Sequence, residues 1–245
     1  MPKLRSLVTL TPTTLSNSDA LYEKAMSHHH RLNAEDVQQA IFIDYEGNID
    51  KPPTLLGWRL MGETHASIIE AAFTVCANRY GAKSVEFQDH ATLALHLIEL
   101  AEQEGRKLVS WSEHDFRVMA AVLSESDQVR LRTVYVNAIR TSRPWHYLTQ
   151  GKAAKDASLA YFSQLLGFAI PTRYGLGLVG QGLRLIRLQI NEGRTYAALT
   201  KSARASWVSI VKHNRFDLAA MEFVLRLITT PRKLQDTLLA LPEEI

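Results

Sequence analysis

The chain has 245 residues, of which 46% are hydrophobic and 22% charged, with a formal net charge of +3. This composition is that of a globular protein, and it excludes a disordered or a membrane-spanning chain. The single cysteine, Cys76, excludes an internal disulfide, so we expect a reducing compartment. Without a recognisable signal peptide or an apolar run of membrane-spanning length, the sequence predicts a soluble cytoplasmic protein that does not bind membranes.

The pattern along the chain predicts an N-terminal arm followed by one domain. Residues 1–38 are polar at first and then helical in pattern, and we interpret them as an arm or extension. From residue 39 to residue 245, strands alternate with helices and then give way to helices alone, which is typical of a single α/β domain. Strands are predicted at 40–47, 54–62, 66–75, 83–87, 106–111 and 131–139, of which 66–75 is also compatible with a helix.

The remaining segments have helical spacing. A helix is predicted at 89–105, with Asp89 as its N-cap and Gly105 at its end, and another begins after Ser112. The C-terminal third is predicted to be mostly helical, at 157–167, 179–191, 195–211 and 215–229.

The charge is distributed unevenly over these elements. Residues 1–150 contain 15 Lys and Arg against 18 Asp and Glu, whereas residues 151–245 contain 13 against 7. Between residues 157 and 216 there are eight basic residues and one acid, Glu192. Such a segment is typical either of a solvated helical surface or of a surface that binds a polyanion, because phosphate contacts supply most of the sequence-independent affinity for nucleic acid.

Two carboxylates end the first predicted strand. In IFIDYEG, Asp44 and Glu46 are two positions apart, so both side chains point to the same face of a strand. Two buried like charges repel each other and lose solvation, which is unfavourable unless a cation lies between them. The pair therefore indicates a cation site at the end of this strand.

Further candidates follow along the chain. Asp115 lies in the first turn of a predicted helix after the strand LVSW, and Glu113 in the same turn is an alternative ligand. Acidic residues at helix starts are also common because they cap the helix and favour its dipole. His213 and Asp217, in HNRFDLAAMEFVL, are four positions apart and share one helix face, a spacing that is also typical of a simple surface ion pair.

The order of these residues resembles the exonuclease branch of the ribonuclease-H-like superfamily, the DEDD nucleases. That family has an Asp-x-Glu on its first strand, an Asp at a later strand-to-helix turn, and a Tyr or His with an Asp on a late helix. This chain has Asp44 and Glu46, then Asp115, then His213 and Asp217. His213 stands four positions before Asp217, the spacing of the Tyr-containing branch, so the subfamily stays open.

The resemblance implies an α/β, ribonuclease-H-like fold with a mixed central sheet flanked by helices. It also implies a 3′–5′ exonuclease that hydrolyses single-stranded DNA or RNA with two Mg²⁺ or Mn²⁺ ions, which prefer oxygen ligands. By similarity, Asp44 would bridge both ions, with Glu46 and Asp217 holding one of them. Asp115 would support the second ion, and His213 would orient or deprotonate the attacking water.

Residues outside the acidic set give weaker indications. Arg184 and Arg187 are expected to contact the phosphate backbone, and Trp145 is a candidate for stacking on a base. The glycines at 173–182 are compatible with a dinucleotide-binding loop, although the strand that must precede such a loop is not predicted. Two alternatives to a nuclease therefore remain. One is a nucleic-acid-binding or scaffold protein of the same fold without catalysis, and the other, more remote, is a nucleotide-dependent oxidoreductase.

Overall fold

The computed structural model describes residues 32–48, 51–77, 85–169, 171 and 178–230. These residues form a mixed sheet with helices packed on both of its faces, so the predicted α/β class is confirmed. Within them the sheet has six strands: β1 (Ile41–Glu46), β2 (Leu55–Leu60), β3 (Glu63–Ile68), β4 (Glu86–Phe87), β5 (Leu108–Ser110) and β6 (Tyr135–Asn137).

The described residues also form eight α-helices and two short 3₁₀ turns. The α-helices are α1 (Ala34–Gln39), α2 (His90–Gln103), α3 (Glu113–Ala120), α4 (Glu125–Val134), α5 (Ile139–Gln150), α6 (Leu159–Leu166), α7 (Leu178–Asn191) and α8 (Lys201–Thr229). The 3₁₀ turns are Ala71–Cys76 and Tyr196–Ala198. None of the described helices has the length and apolar character needed to cross a bilayer.

Strand β1 lies inside the sheet, whose order is β4-β3-β2-β1-β5-β6. It pairs antiparallel with β2 on one side and parallel with β5 on the other. Strand β3 continues the antiparallel half, and β6 runs parallel to β5. Strand β5 pairs only with Ile41 and Phe42, so the end of β1 that carries Asp44 and Glu46 is paired with β2 alone.

The two faces of β1 belong to different cores. Ile41, Ile43 and Tyr45 are buried with α2 on one face. Phe42 lies on the other face, in the core that contains α6 and the second half of α8. Because side chains alternate along a strand, Asp44 and Glu46 follow Phe42 onto the face covered by α8.

Several predicted elements differ from the structure. The helices predicted at 195–211 and 215–229 are one continuous helix, α8, which begins at Lys201, and α5 forms where no element is predicted. The strand predicted at 131–139 is wrong in its first half, because α4 continues to Val134 and only Tyr135–Asn137 is extended. Leu131 and Val134 are buried three positions apart, which is a helical spacing, and the Ser124 hydroxyl caps the start of α4. The apolar stretch at 66–75 is strand only as far as Ile68 and then becomes the first 3₁₀ turn.

The boundary predicted for the arm also needs correction. Residues 32–38 were assigned to the arm, yet Leu32 and Val37 are each 1% exposed and pack in the same core as α8. Asn33 and Asp36 form a reciprocal capping box at the start of α1, which fixes this short helix. The domain therefore includes the chain from residue 32, and residues 1–31 lie outside the described part.

Candidate functional site

Helix α8 docks on β1 through one buried amide. The Nδ2 of Asn214 donates to the backbone oxygen of Asp44 at 3.0 Å and to its carboxylate Oδ2 at 2.9 Å. Both partners are acceptors, so they fix which end of the Asn214 amide faces β1. This one side chain therefore ties α8 to the position of the first carboxylate.

Gly57 makes room for that amide. It lies opposite Asp44 in the β1–β2 pair, and a Cβ added there would stand 1.7 Å from Oδ1 of Asn214. No side chain fits at position 57 while Asn214 keeps its place. Asn214 belongs to the third motif, HNRFD, but neither its contact with Asp44 nor Gly57 is predicted from the sequence, although a glycine inside a strand is a recognised signal of close approach by another group.

The third motif reaches the site from the same helix. Nε2 of His213 lies 3.5 Å from Oδ2 of Asp217 and 3.9 Å from Oε1 of Glu46. The side chains of His213, Asp217 and Glu46 are only 13%, 22% and 9% exposed. The predicted one-turn spacing of His213 and Asp217 is confirmed, and it places both beside the end of β1.

Asp115 enters from the first turn of α3. Its Oδ1 accepts a long hydrogen bond from the Tyr45 amide at 3.4 Å, and its Oδ2 accepts one from the Ser112 hydroxyl at 3.2 Å. Asp115 is 6% exposed, whereas Glu113 is exposed and accepts a hydrogen bond from Asn137. Of the two alternatives in this turn, Asp115 is therefore the one that faces β1.

The four carboxylates are close enough to oppose one another's ionisation. Burial, followed by the charges of Glu46, Asp217 and Asp115, raises the pKa of Asp44 well above its usual range. Burial and the charges of Asp217 and Asp115 do the same to the pKa of Glu46. Burial also raises the pKa values of Asp115 and Asp217, the latter partly offset by His213. The ionised cluster is therefore strained without a cation.

Among the described residues, no Lys or Arg forms an ion pair with any of these four carboxylates. Glu222, a further buried acid on α8, is instead paired with Arg59 of β2. One acid on this face is thus neutralised by an arginine, whereas the acids at the end of β1 have no described Lys or Arg as a partner.

The side chains do not, however, form a ready-made metal site. Within the described part of the chain, no three His, Cys, Asp or Glu side chains are arranged to hold an ion. Asp115 is turned to Tyr45 and Ser112, and Asp44 is held by Asn214. The donors are carboxylate oxygens, which suit Mg²⁺ or Mn²⁺. Binding by three of them would require the side chains to rotate toward one another.

Arg187, predicted to contact phosphate, is engaged within the fold. Its guanidinium pairs with the carboxylate of Glu70, with Nη2 2.7 Å from Oε2, and also donates to the Thr54 hydroxyl at 3.3 Å. It stacks over Phe73, and only 14% of its side chain is exposed. Because Thr54 also donates its amide to the Glu46 carbonyl, Arg187 braces the segment that leaves β1.

The other two predicted nucleic-acid contacts differ from each other. Trp145 is 5% exposed in the core beside Phe162, so the expectation that it stacks on a base is wrong for this conformation. Arg184 is exposed on α7 and remains a candidate for phosphate contact. Gly175 and Gly177 of the glycine loop lie outside the described residues.

Comparison of the chain with known proteins gives no family assignment. No protein-family model, no curated protein and no solved structure matches it. The function is therefore argued from the positions and charges of the site's own side chains.

Gly57→Ala tests the docking of α8. We expect it to lower the free energy of unfolding by about 3 kcal/mol, because the new methyl group displaces Asn214 and breaks its bonds to Asp44. Measured in an Asn214→Ala background by urea unfolding, the same substitution should cost less than about 1 kcal/mol. If Gly57→Ala lowers the free energy of unfolding equally in the two backgrounds, Gly57 is not required to accommodate Asn214.

Asp44→Asn tests the strain in the cluster. Folded-state pKa values above the unfolded ones mean that the metal-free protein loses stability as pH rises from about 4 through the raised values. At pH 8 without divalent ions, Asp44→Asn should therefore unfold about 2–8 °C above wild type, a gain of about 1–2 kcal/mol. Mn²⁺ should raise the unfolding temperature of wild type more than that of the variant. If Asp44→Asn is no more stable than wild type at pH 8 without divalent ions, the ionised carboxylates do not destabilise the folded protein.

Arg187→Ala should lower stability by about 1–3 kcal/mol, because it leaves the half-buried Glu70 carboxylate without its partner. Arg184→Ala on the same helix is the matched control, and it should change stability by less than about 0.5 kcal/mol. Chemical unfolding of both variants makes the comparison. Equal stability of the two would remove the bracing role assigned to Arg187.

Proposed function

We propose that the protein is a metal-dependent nuclease, specifically a 3′–5′ exonuclease acting on single-stranded DNA or RNA. The observation that carries the proposal is the meeting of five side chains from three distant segments beside the end of β1: Asp44, Glu46, Asp115, His213 and Asp217. The same residues carry the sequence resemblance to DEDD nucleases. Chain order and spatial grouping therefore support the same chemistry.

The sheet supports a ribonuclease-H-like assignment of the fold. Its first strand pairs antiparallel with the second and parallel with β5, which a long connection separates from it in sequence. The acids lie at the end of that first strand and in the first turn of α3, directly after β5. A mixed sheet with helices on both faces is the arrangement expected from the resemblance.

Asp44, Glu46, Asp115 and Asp217 are the groups that would hold Mg²⁺ or Mn²⁺. When bound, such ions stabilise negative charge on the attacking and leaving oxygens of a phosphodiester. Bound there, the ions would also offset the burial and mutual repulsion that raise the pKa values of Asp44 and Glu46. The type of donor fits such ions, and the carboxylates would have to rotate toward one another to hold them.

His213 is the group placed to handle the proton of the attacking water. Its Nε2 faces Glu46 and Asp217, so a water that contacts these acids is within reach of that nitrogen. Asn214 holds Asp44 in place and acts through that residue, so it is a positioning residue.

A second candidate is a nucleic-acid-binding protein that does not hydrolyse its ligand. The observation that favours it is that no three ligating side chains among the described residues are arranged to hold an ion. The grouping of four acids, two buried and two partly buried, around His213 favours the nuclease, because a binding protein has no use for mutually repelling carboxylates.

Digestion of end-labelled single-stranded DNA and RNA separates the candidates. With 5′-labelled substrate and Mg²⁺ or Mn²⁺, wild type should give a ladder that shortens from the 3′ end. Asp115→Asn should reduce the rate by at least about a thousandfold, because loss of an ion ligand removes several kcal/mol of transition-state stabilisation.

The matched control is Glu113→Gln, two positions earlier in the same helical turn and exposed. It should keep wild-type turnover. Hydrolysis that persists in Asp115→Asn would refute the site, and binding of both nucleic acids without any cleavage would establish the second candidate.

A further inference from the structure

A groove runs between α7 and α8 and ends at the candidate site. It has a cavity volume of about 360 Å³, and its lining includes Ser202, Ser209 and His213 of α8 and Gln181 of α7. His213 is the same residue whose Nε2 faces Glu46 and Asp217. His213 therefore connects the groove to the carboxylate cluster, since it lines the one and contacts the other.

The dimensions of the groove suit an extended chain. Ser202 and His213 are eleven residues apart on one helix, which corresponds to a length of about 16 Å. The volume lies in the lower part of the roughly 300–1,000 Å³ range for ligand pockets. Gly182 lets the two helices approach, since a Cβ there would stand 3.1 Å from Cβ of Ser206.

The lining is neutral and rich in groups that bond to sugars and phosphates. It contains the hydroxyls of Ser202, Ser206 and Ser209 and the amide of Gln181, and it contains no carboxylate. Hydroxyl and amide groups both donate and accept hydrogen bonds, as contacts to a sugar–phosphate backbone require. The remaining lining is aliphatic, from residues such as Leu185 and Ile210, against which a sugar or base can pack.

Two lysines on α8 supply charge along the rim. Lys201 and Lys212 are eleven residues apart, three helical turns, and lie on the same line of the helix as Ala205, which lines the groove. Neither forms an ion pair with a described carboxylate, whereas Arg187 and Arg194 in the same basic segment do. Their charge is therefore available to an anionic ligand.

We infer that this groove holds the single-stranded end of the nucleic acid, with its sugar–phosphate backbone along the α8 serines and its terminal phosphodiester at His213. The inference rests on the proposed nuclease function, and it adds which surface holds the substrate beside His213.

Binding without cleavage tests the groove separately from catalysis. In an Asp44→Asn background, the affinity for labelled single-stranded oligonucleotides is measured by fluorescence anisotropy at several salt concentrations. Ser209→Leu narrows the groove and should weaken binding at least tenfold with an unchanged unfolding temperature. Lys201→Ala with Lys212→Ala should make the slope of log K against log salt shallower by about 1.4, since each phosphate contact contributes about 0.7.

The matched control is Lys152→Ala with Lys155→Ala, two exposed lysines in the segment between α5 and α6. It should leave the slope unchanged.

If Ser209→Leu does not fold, the lysine pair alone decides the result. If wild type cleaves and the groove variants bind nucleic acid as tightly as wild type, the groove is not the binding surface, but the proposed nuclease function remains supported. Binding that is lost in the groove variants, in a protein that never cleaves, would support the groove and refute catalysis. A wild type that neither binds nor cleaves would overturn both.

Discussion

Mutual repulsion among buried carboxylates is the constraint that shapes this molecule. Asp44 and Glu46 share one face of β1, and Asp115 and Asp217 are brought close enough to raise their pKa values further. A fold that needed only stability would have paired these acids with arginine, as it does for Glu222 with Arg59 on the same face. An external cation bound at the cluster would offset this free-energy cost, which is how the strain supports the proposed function.

Docking of α8 is what converts separated motifs into one cluster. Asn214 occupies the space left by Gly57 and bonds to Asp44, and this contact sets the rotation of the helix on the sheet. His213 and Asp217, on the flanks of Asn214 along the same helix, then reach the end of β1. Arg187 braces the segment after β1 from α7, so the groove between α7 and α8 and the acids share one rigid frame.

The sequence predicts those features that depend on local spacing. Alternation placed Asp44 and Glu46 on one face, and the four-residue step placed His213 beside Asp217. Features that depend on tertiary packing cannot be predicted from local spacing. The burial of Trp145 and the ion pair of Arg187 with Glu70 are examples, because both depend on contacts between distant segments. The strand predicted at 131–139 failed for a related reason, since its β-branched residues are enriched in strands while its buried positions follow a helical step.

Anomalous diffraction from a crystal soaked in Mn²⁺ shows whether the carboxylate cluster binds a cation, because it locates the ion without any assumption about substrate. We expect a peak within about 2.5 Å of a carboxylate oxygen of Asp44, with Glu46 or Asp217 rotated to share it. An ordered crystal in which Mn²⁺ binds elsewhere, or in which the four acids remain without an ion at saturating Mn²⁺, would contradict it.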